Sequence, residues 1–359
     1  MKAVAVVPGR KGSAHLREVP VPPAGAGQVL VRVLQVGLDG TDTEISEGLY
    51  GEAPPGDDYL IIGHESLGRV EEVGSDVSDL GVGDLVVATV RRPGGCLNCR
   101  AGQSDMCLDG DYTERGIKGA HGFLADYYVE GPEHLVTLPA DYESVGVLLE
   151  PTTIAEKGII QSLEIQRRMA WEPQRAVVLG AGPLGLLATA LLRNMGLEAY
   201  TVARAPAGSG SLRQRVLEEL GATYLSSRDH PVSALGRELG RIDLIFEATG
   251  HSGVVFEAMQ ALGVNGVLCL TGVTGGEAMR EVPADKINLE VVLGNKVIFG
   301  SVNANRRYFE LGATHLGEIR SKWPGLLERF ITQRLSIEEY EKGLHRPKDD
   351  IKTVVELGS

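Results

Sequence analysis

One stretch restricts the fold more than any other. "RAVVLGAG" (175–182), an apolar run ending in glycines, leads directly into "PLGLLATALLRNMG" (183–196), a helix pattern closed by Gly196. Gly180, Gly182 and Gly185 make G-x-G-x-x-G, with Pro183 and Leu184 opening the helix. Alone, that pattern could be an ordinary glycine-rich turn. Here it follows a strand, opens a helix and begins a complete βαβ unit, which is its confirming context. Downstream come "LEAYTVA" as strand, "SLRQRVLEELG" as helix and "RIDLIFEATG" as strand. Helix "VVFEAMQAL" and strands "GVLCLTG" and "KVIFG" follow. Such alternation predicts an α/β fold, a doubly wound parallel sheet of Rossmann type. Glycines there let backbone approach a pyrophosphate, and the helix N-terminus favours its negative charge. A dinucleotide cofactor is expected.

The end of the next strand selects the dinucleotide. An acid there would bind a ribose 2′-hydroxyl, whereas arginine accommodates a 2′-phosphate. The sequence reads "YTVARAP", with Ala203 in the acid's place and Arg204 after it. NADP is therefore preferred, and NAD is not excluded.

The first 140 residues have another rhythm. "QVLVRVLQV" (28–36), "DLVVATV" (84–90) and "FLADYYV" (123–129) read as short strands between turns, giving a mostly antiparallel β domain. A helix over 153–168 is expected to bridge it to the cofactor domain, whose span is set at 171–301. The length of 359 residues suits roughly two domains. Net charge is −13 with no basic run, which argues against nucleic acid. No apolar run is long enough to span a bilayer. Only four cysteines occur, three of them bunched, so disulfides are not expected and a reducing, cytoplasmic setting is.

The stretch "IIGHESLGRVEEVGSDV" (61–77) places His64 and Glu65 where a buried pair would need a partner or a metal. It fits G-H-E-x2-G-x5-G-x2-V through Gly63, His64, Glu65, Gly68, Gly74 and Val77. This resembles the zinc signature of the medium-chain dehydrogenase/reductase family, as do "GVGDLVV" and "DDIKTVVEL". The resemblance covers essentially the full chain. It implies a GroES-like catalytic domain over 1–170 with a metal-binding lobe at about 91–115, and a return to that domain over 302–359. Family zinc sites usually begin with a cysteine upstream, but this chain reads "VGLDGTDTE", with Asp39 in that place. Aspartate is an acceptable, harder zinc ligand. Its presence, with "VRRPGGC", "TERGIKGAHGF", "LLEPTTIAEK" and "GSVNAN", is similar to the archaeal-type glucose dehydrogenases.

That branch implies zinc held by Asp39, His64 and Glu150, with Glu65 either a fourth ligand or bound through water. Thr41 falls where the family keeps a hydroxyl proton relay. Glu114 and Asn303 match positions that hold sugar hydroxyls, together with Thr41 and Glu150. The implied reaction moves hydride from C1 of an aldose, glucose foremost, to NADP. One departure stands out: a second acid common four residues after Glu150 is Ile154 here. Another polyol or alcohol dehydrogenase therefore stays open, and so does a nucleotide-binding sensor without catalysis. In "PGGCLNCRAGQSDMC", Cys96, Cys99 and Cys107 imply a structural metal. The family's first lobe cysteine would fall at Pro93, so an unidentified carboxylate would complete the site, unless the lobe is a remnant. Cys269 reads as a small core residue. Family members suggest a dimer or tetramer.

Overall fold

The computed structural model describes residues 1–347 and 349–358. The chain divides into two units, Met1–Glu150 with Asn303–Ala313 and Leu327–Ser359, and Pro151–Val302 with Thr314–Leu326. In the second unit the glycine turn follows strand Arg175–Leu179 and precedes helix Pro183–Asn194. Around that strand six parallel strands are ordered Thr223–Ser226, Glu198–Ala203, Arg175–Leu179, Leu244–Glu247, Val267–Leu270 and Val297–Gly300. The order reverses between Arg175–Leu179 and Leu244–Glu247, and such a switch point leaves a crevice beyond the strand ends. Val177, Leu179, Ile245 and Leu268 pack one core of this sheet.

The three glycines act for separate reasons. Gly180 has φ +109, a conformation that other residues adopt poorly. A β-carbon at Gly185 would collide with the Gly180 carbonyl oxygen, so this position sets how closely helix meets strand. At Gly182 a β-carbon would meet nothing, which leaves backbone open to a ligand.

The first unit carries a seven-stranded sheet. Its order is Leu135–Leu138, Leu85–Ala88, Glu65–Val73, Val29–Leu38, Lys352–Glu356 and Ile331–Ser336, and Tyr127–Glu130 also pairs with Val29–Leu38. Within it only Ile331–Ser336 and Lys352–Glu356 run parallel. Val29, Val31, Val33 and Val36 bury the central strand, whose register shifts at Leu30/Val31 and Val33/Gln35. Bulges of this kind bend and twist a strand.

Several elements depart from the sequence reading. "FLADYYV" pairs as a strand only from Tyr127, while Phe123 and Leu124 fill the core as loop residues. The helix expected at 153–168 starts at Leu149 and runs to Ile165. Helix Ala284–Leu293 and strands Thr223–Ser226 and Ile331–Ser336 were not foreseen. Among the described residues no helix is long and apolar enough to cross a membrane.

Candidate active site

Asp39 follows the end of strand Val29–Leu38 and caps helix Gly40–Ser46. Its Oδ1 accepts from the backbone N–H of Thr41 at 2.7 Å and of Asp42 at 3.4 Å. Its Oδ2 accepts from Thr41 Oγ1 at 3.3 Å and lies 3.8 Å from His64 Nε2. Capping and metal ligation are therefore compatible, because each uses a different oxygen. Asp42, which the sequence reading passed over, is fully buried behind the imidazole. It accepts from Asp39 N and Gly63 N and stands 3.9 Å from His64 Nδ1. Tyr50, also passed over, brings its hydroxyl to the Thr41 side chain.

Glu65 opens the next strand, buried, and is ion-paired with the buried Lys352 of the last strand. Gly37 makes room: a β-carbon there would land on the Glu65 carboxylate and the Lys352 stem. Donor atoms of Asp39, His64 and Glu65 all lie within 4.8 Å of one another. Glu150, in the first turn of helix Leu149–Ile165, is 5% exposed and faces the same group electrostatically.

Burial pushes the Glu150 carboxyl up to about 8, against the pull of His64 and reinforced by Glu65 and Asp39. Burial likewise raises Asp42 to about 6. Burial alone would lower His64, but Asp39, Asp42, Glu150 and Glu65 outweigh it and raise the imidazole to about 9. Asp39 is held below its usual value despite burial, chiefly by His64 and Lys352. Four carboxylates surround one imidazole, with Asp42, Glu65 and Glu150 buried and Asp39 half-buried, and buried charge requires pairing or a metal. His64 Nδ1 has no hydrogen-bond partner among the described residues, whereas Glu65 Oε2 is taken by the Lys352 ammonium. Tetrahedral zinc with bonds of about 2.0–2.2 Å sets ligand atoms roughly 3.4 Å apart. The 3.8 Å between Asp39 Oδ2 and His64 Nε2 is near that, so the donors fit a divalent cation.

The structure also brings Glu114 and Asn303 together. Asn303, held at φ +59, donates from Nδ2 to Glu114 Oε1 at 2.7 Å. The same oxygen receives Arg91 Nε at 3.1 Å and Nη2 at 2.9 Å. Arg91 lay within the quoted "VRRPGGC", yet nothing in the spacing linked it to Glu114.

In the lobe, Cys96, Cys99 and Cys107 place their sulfurs within 4.8 Å of one another. Backbone N–H groups of Leu108 and Cys99 point at Cys96 Sγ and lower its thiol to about 7. Burial raises Cys99 to about 11. The missing fourth group has a candidate in Asp111, whose Oδ1 lies 3.5 Å from Cys107 Sγ while Oδ2 accepts from Gly95 N. A β-carbon at Gly94 would strike this carboxylate, so the chain beside Pro93 leaves space for it.

The second unit holds a cleft of about 670 Å³ lined by Gly180, Ala181, Gly182, Ala203 and Arg204, among others. Pro183, Leu184 and Gly185 form the helix turn beside it. Arg213, unremarked in the sequence, lines the cleft too, with Ser211 and Tyr224. The Tyr224 hydroxyl donates to Ala205 O at 2.7 Å and so anchors the segment after Arg204. Glu247, fully buried, accepts from Thr249 N at 2.6 Å and fixes another wall of the cleft. Cys269 is buried with its thiol pushed up to about 12 by burial, as befits a core residue. Ile154 is half-buried in its helix.

Residues 143–357 match the family model described as "Glucose dehydrogenase C-terminus", and residues 25–140 match "Alcohol dehydrogenase GroES-like domain". The glucose 1-dehydrogenase of Methanocella arvoryzae is 48% identical over 361 residues, covering 100% of both chains. This chain belongs to the glucose dehydrogenase family. Another relative in that family, glucose 1-dehydrogenase 1 of Caldivirga maquilingensis, is 44% identical with 99% of each chain covered. Haloferax mediterranei glucose dehydrogenase, solved in complex with NADP, Zn and gluconolactone, superposes with a TM-score of 0.91. It is 37% identical, and 100% of each chain is covered. Membership places the Rossmann and GroES-like architecture of this chain within the medium-chain dehydrogenases.

Proposed function

We propose that this protein oxidises glucose, or a close aldose, at C1 to the lactone, with NADP as hydride acceptor. The acid-rich cluster of Asp39, His64, Glu65 and Glu150 carries the reading. Asp39, His64 and Glu150 would hold a zinc ion, with Glu65 the fourth ligand or engaged through water. Bound zinc supplies Lewis acidity, lowering the pKa of a coordinated hydroxyl. Thr41 would relay the substrate hydroxyl proton outward to solvent through its own hydroxyl, beside which the Tyr50 phenol lies, and NADP would supply the hydride acceptor. Glu114 and Asn303 would hold sugar hydroxyls. In the cleft, Arg204 and Arg213 suit a 2′-phosphate through charge-assisted hydrogen bonds.

The half-buried Ile154, where the branch often has an acid, supports a second reading in which a polyol or other alcohol is preferred. A panel of aldoses, polyols and alcohols, assayed with NADP and NAD and with or without chelator, decides between them. Glucose with NADP should lead, and chelation should cost on the order of 100-fold or more, since metal assistance is worth several kcal/mol. Arg204→Ala should raise KM for NADP more than for NAD. A polyol outrunning every aldose would leave only the dehydrogenase assignment; no turnover of anything would favour a nucleotide sensor.

Three further points complete the reading. Cys96, Cys99 and Cys107 with Asp111 would hold a structural zinc. Reduced cysteines and that thiolate site suit the cytoplasm. The sheet edge at Val297–Gly300 and the exposed helix beside it support self-association, a dimer or a tetramer.

A further inference from the structure

Glu114 is held in an unusually one-sided way. Its Oε1 takes three donors, Arg91 Nε, Arg91 Nη2 and Asn303 Nδ2, at 3.1, 2.9 and 2.7 Å. Neither backbone nor side chain among the described residues hydrogen-bonds Oε2, and Oε2 is not sealed away from solvent. Arg91 itself is 6% exposed and anchored from behind. Its Nη1 donates to the carbonyl oxygens of Ser104 and Asp105 at 3.3 and 3.2 Å, both in the cysteine-bearing lobe. Its guanidinium plane lies over the Tyr112 ring, 3.7 Å from the centroid. Every anchor on this arginine therefore belongs to residues 104–112, while its fork ends on Glu114.

We propose that Arg91 is a positioning residue for sugar recognition: it occupies one oxygen of Glu114 so that only the other is offered to a substrate hydroxyl, and it ties that offer to the lobe. The inference rests on Glu114 being a sugar contact. Its physical content is pre-organisation. A carboxylate free to rotate presents either oxygen and loses entropy when a hydroxyl fixes it. One already forked by arginine has little left to lose. Lysine could keep the charge at position 91 but not the planar fork. Asn305 supports the same connection, since its Nδ2 donates to Asp105 Oδ1 at 2.8 Å, beside a carbonyl that holds Arg91.

The test uses glucose and its singly deoxygenated analogues, with the zinc-supplied holoenzyme. In the unmodified enzyme one analogue should lose the most efficiency, and Glu114→Ala should erase that analogue's penalty, which identifies the hydroxyl concerned. Arg91→Lys should then raise KM for glucose about 10- to 100-fold, the size of one or two charge-assisted hydrogen bonds. It should leave KM for NADP unchanged, and it should shrink the penalty at that same hydroxyl alone. Guanidinium ion added to Arg91→Ala should restore part of the glucose KM. If Arg91→Lys does not fold, judged by lost NADPH binding, Tyr112→Leu carries the same comparison. An equal loss with every analogue, or no loss beside a clear Glu114→Ala effect, overturns the positioning role. A Glu114→Ala variant that erases no analogue's penalty overturns instead the sugar-contact reading beneath it.

Discussion

Asp39 shows how much one side chain can carry when its two oxygens are separated by task. Oδ1 finishes a helix cap, worth about 1 kcal/mol in typical cases, and Oδ2 remains turned toward His64. A substitution there disturbs fold and site together, so pH offers a cleaner probe of the cluster. Burial raises Glu150 from 4.5 to about 8, and surrounding carboxylates overcome burial to raise His64 from 6.5 to about 9. Both folded-state values are raised, so without metal the folded chain binds more protons than the unfolded chain. The resulting stability is complete below the unfolded values and is lost as pH rises through about 8 and 9. Zinc needs carboxylate and neutral imidazole, so its binding must displace those protons. The gap in Tm between zinc-loaded and chelator-treated protein should therefore be several degrees wider near pH 9 than near pH 6. About 1 kcal/mol moves Tm by roughly 2–4 °C in domains of this size. Proton release on adding zinc at neutral pH is the companion measurement, and a Tm gap indifferent to pH would count against a protonated, metal-seeking cluster. His64 and Glu65 were legible because a motif of fixed spacing surrounds them. Asp42 and Lys352 were not. Asp39-x-x-Asp42 reads as a capping pair, which it also is, and Lys352 meets Glu65 from the opposite end of the chain.

Among the elements, legibility followed burial pattern. The βαβ run declared itself because its strands are buried on both faces and its glycines have fixed places. Strand Thr223–Ser226 did not, being short and mostly half-exposed. Helix Ala284–Leu293 was missed for a different reason. Leu289, Val292 and Leu293 do recur at i, i+3 and i+4, but the run is short. None of the helix's residues is buried, so the stripe meets no core of its own chain. The lobe sits between these extremes. Its cysteine spacing was plain, but Asp111 arrives by way of the space beside Gly94 rather than by spacing. If Asp111 completes a four-ligand zinc site, Asp111→Ala should lower lobe zinc and Tm in step, as Cys99→Ser should more strongly. Zinc per subunit by elemental analysis, read beside thermal melts, checks this. Two zincs retained in Asp111→Ala would remove the carboxylate from the ligand set.

At the scale of the whole molecule, the helix without a buried residue becomes informative. Leu289, Val292 and Leu293 are 57%, 64% and 71% exposed, and Val264 nearby is 57% exposed. Leu289, Leu293 and Val264 also line one cavity with Lys296, just before strand Val297–Gly300. That strand ends the six-stranded sheet, so among the described residues its outer row of N–H and C=O groups has no neighbouring strand. Exposed edges invite pairing, and contiguous exposed apolar groups of this kind mark association surfaces. A single charge, Lys296, is thin protection for such an edge, and Glu290 already engages it at 3.6 Å. Two copies meeting edge to edge would satisfy both the ladder and the apolar helix. A twofold interface would bring the same residues of each copy together, so one substitution would act twice. Leu289→Lys combined with Leu293→Lys would place four extra positive charges across that contact, on surface positions that disturb no core. Light scattering at micromolar protein should then fall from an oligomer mass to that of one chain, while circular dichroism of the subunit stays as before. An unmodified protein that already runs as a monomer, or a double variant of undiminished mass, would assign the exposed helix to some purpose other than self-association.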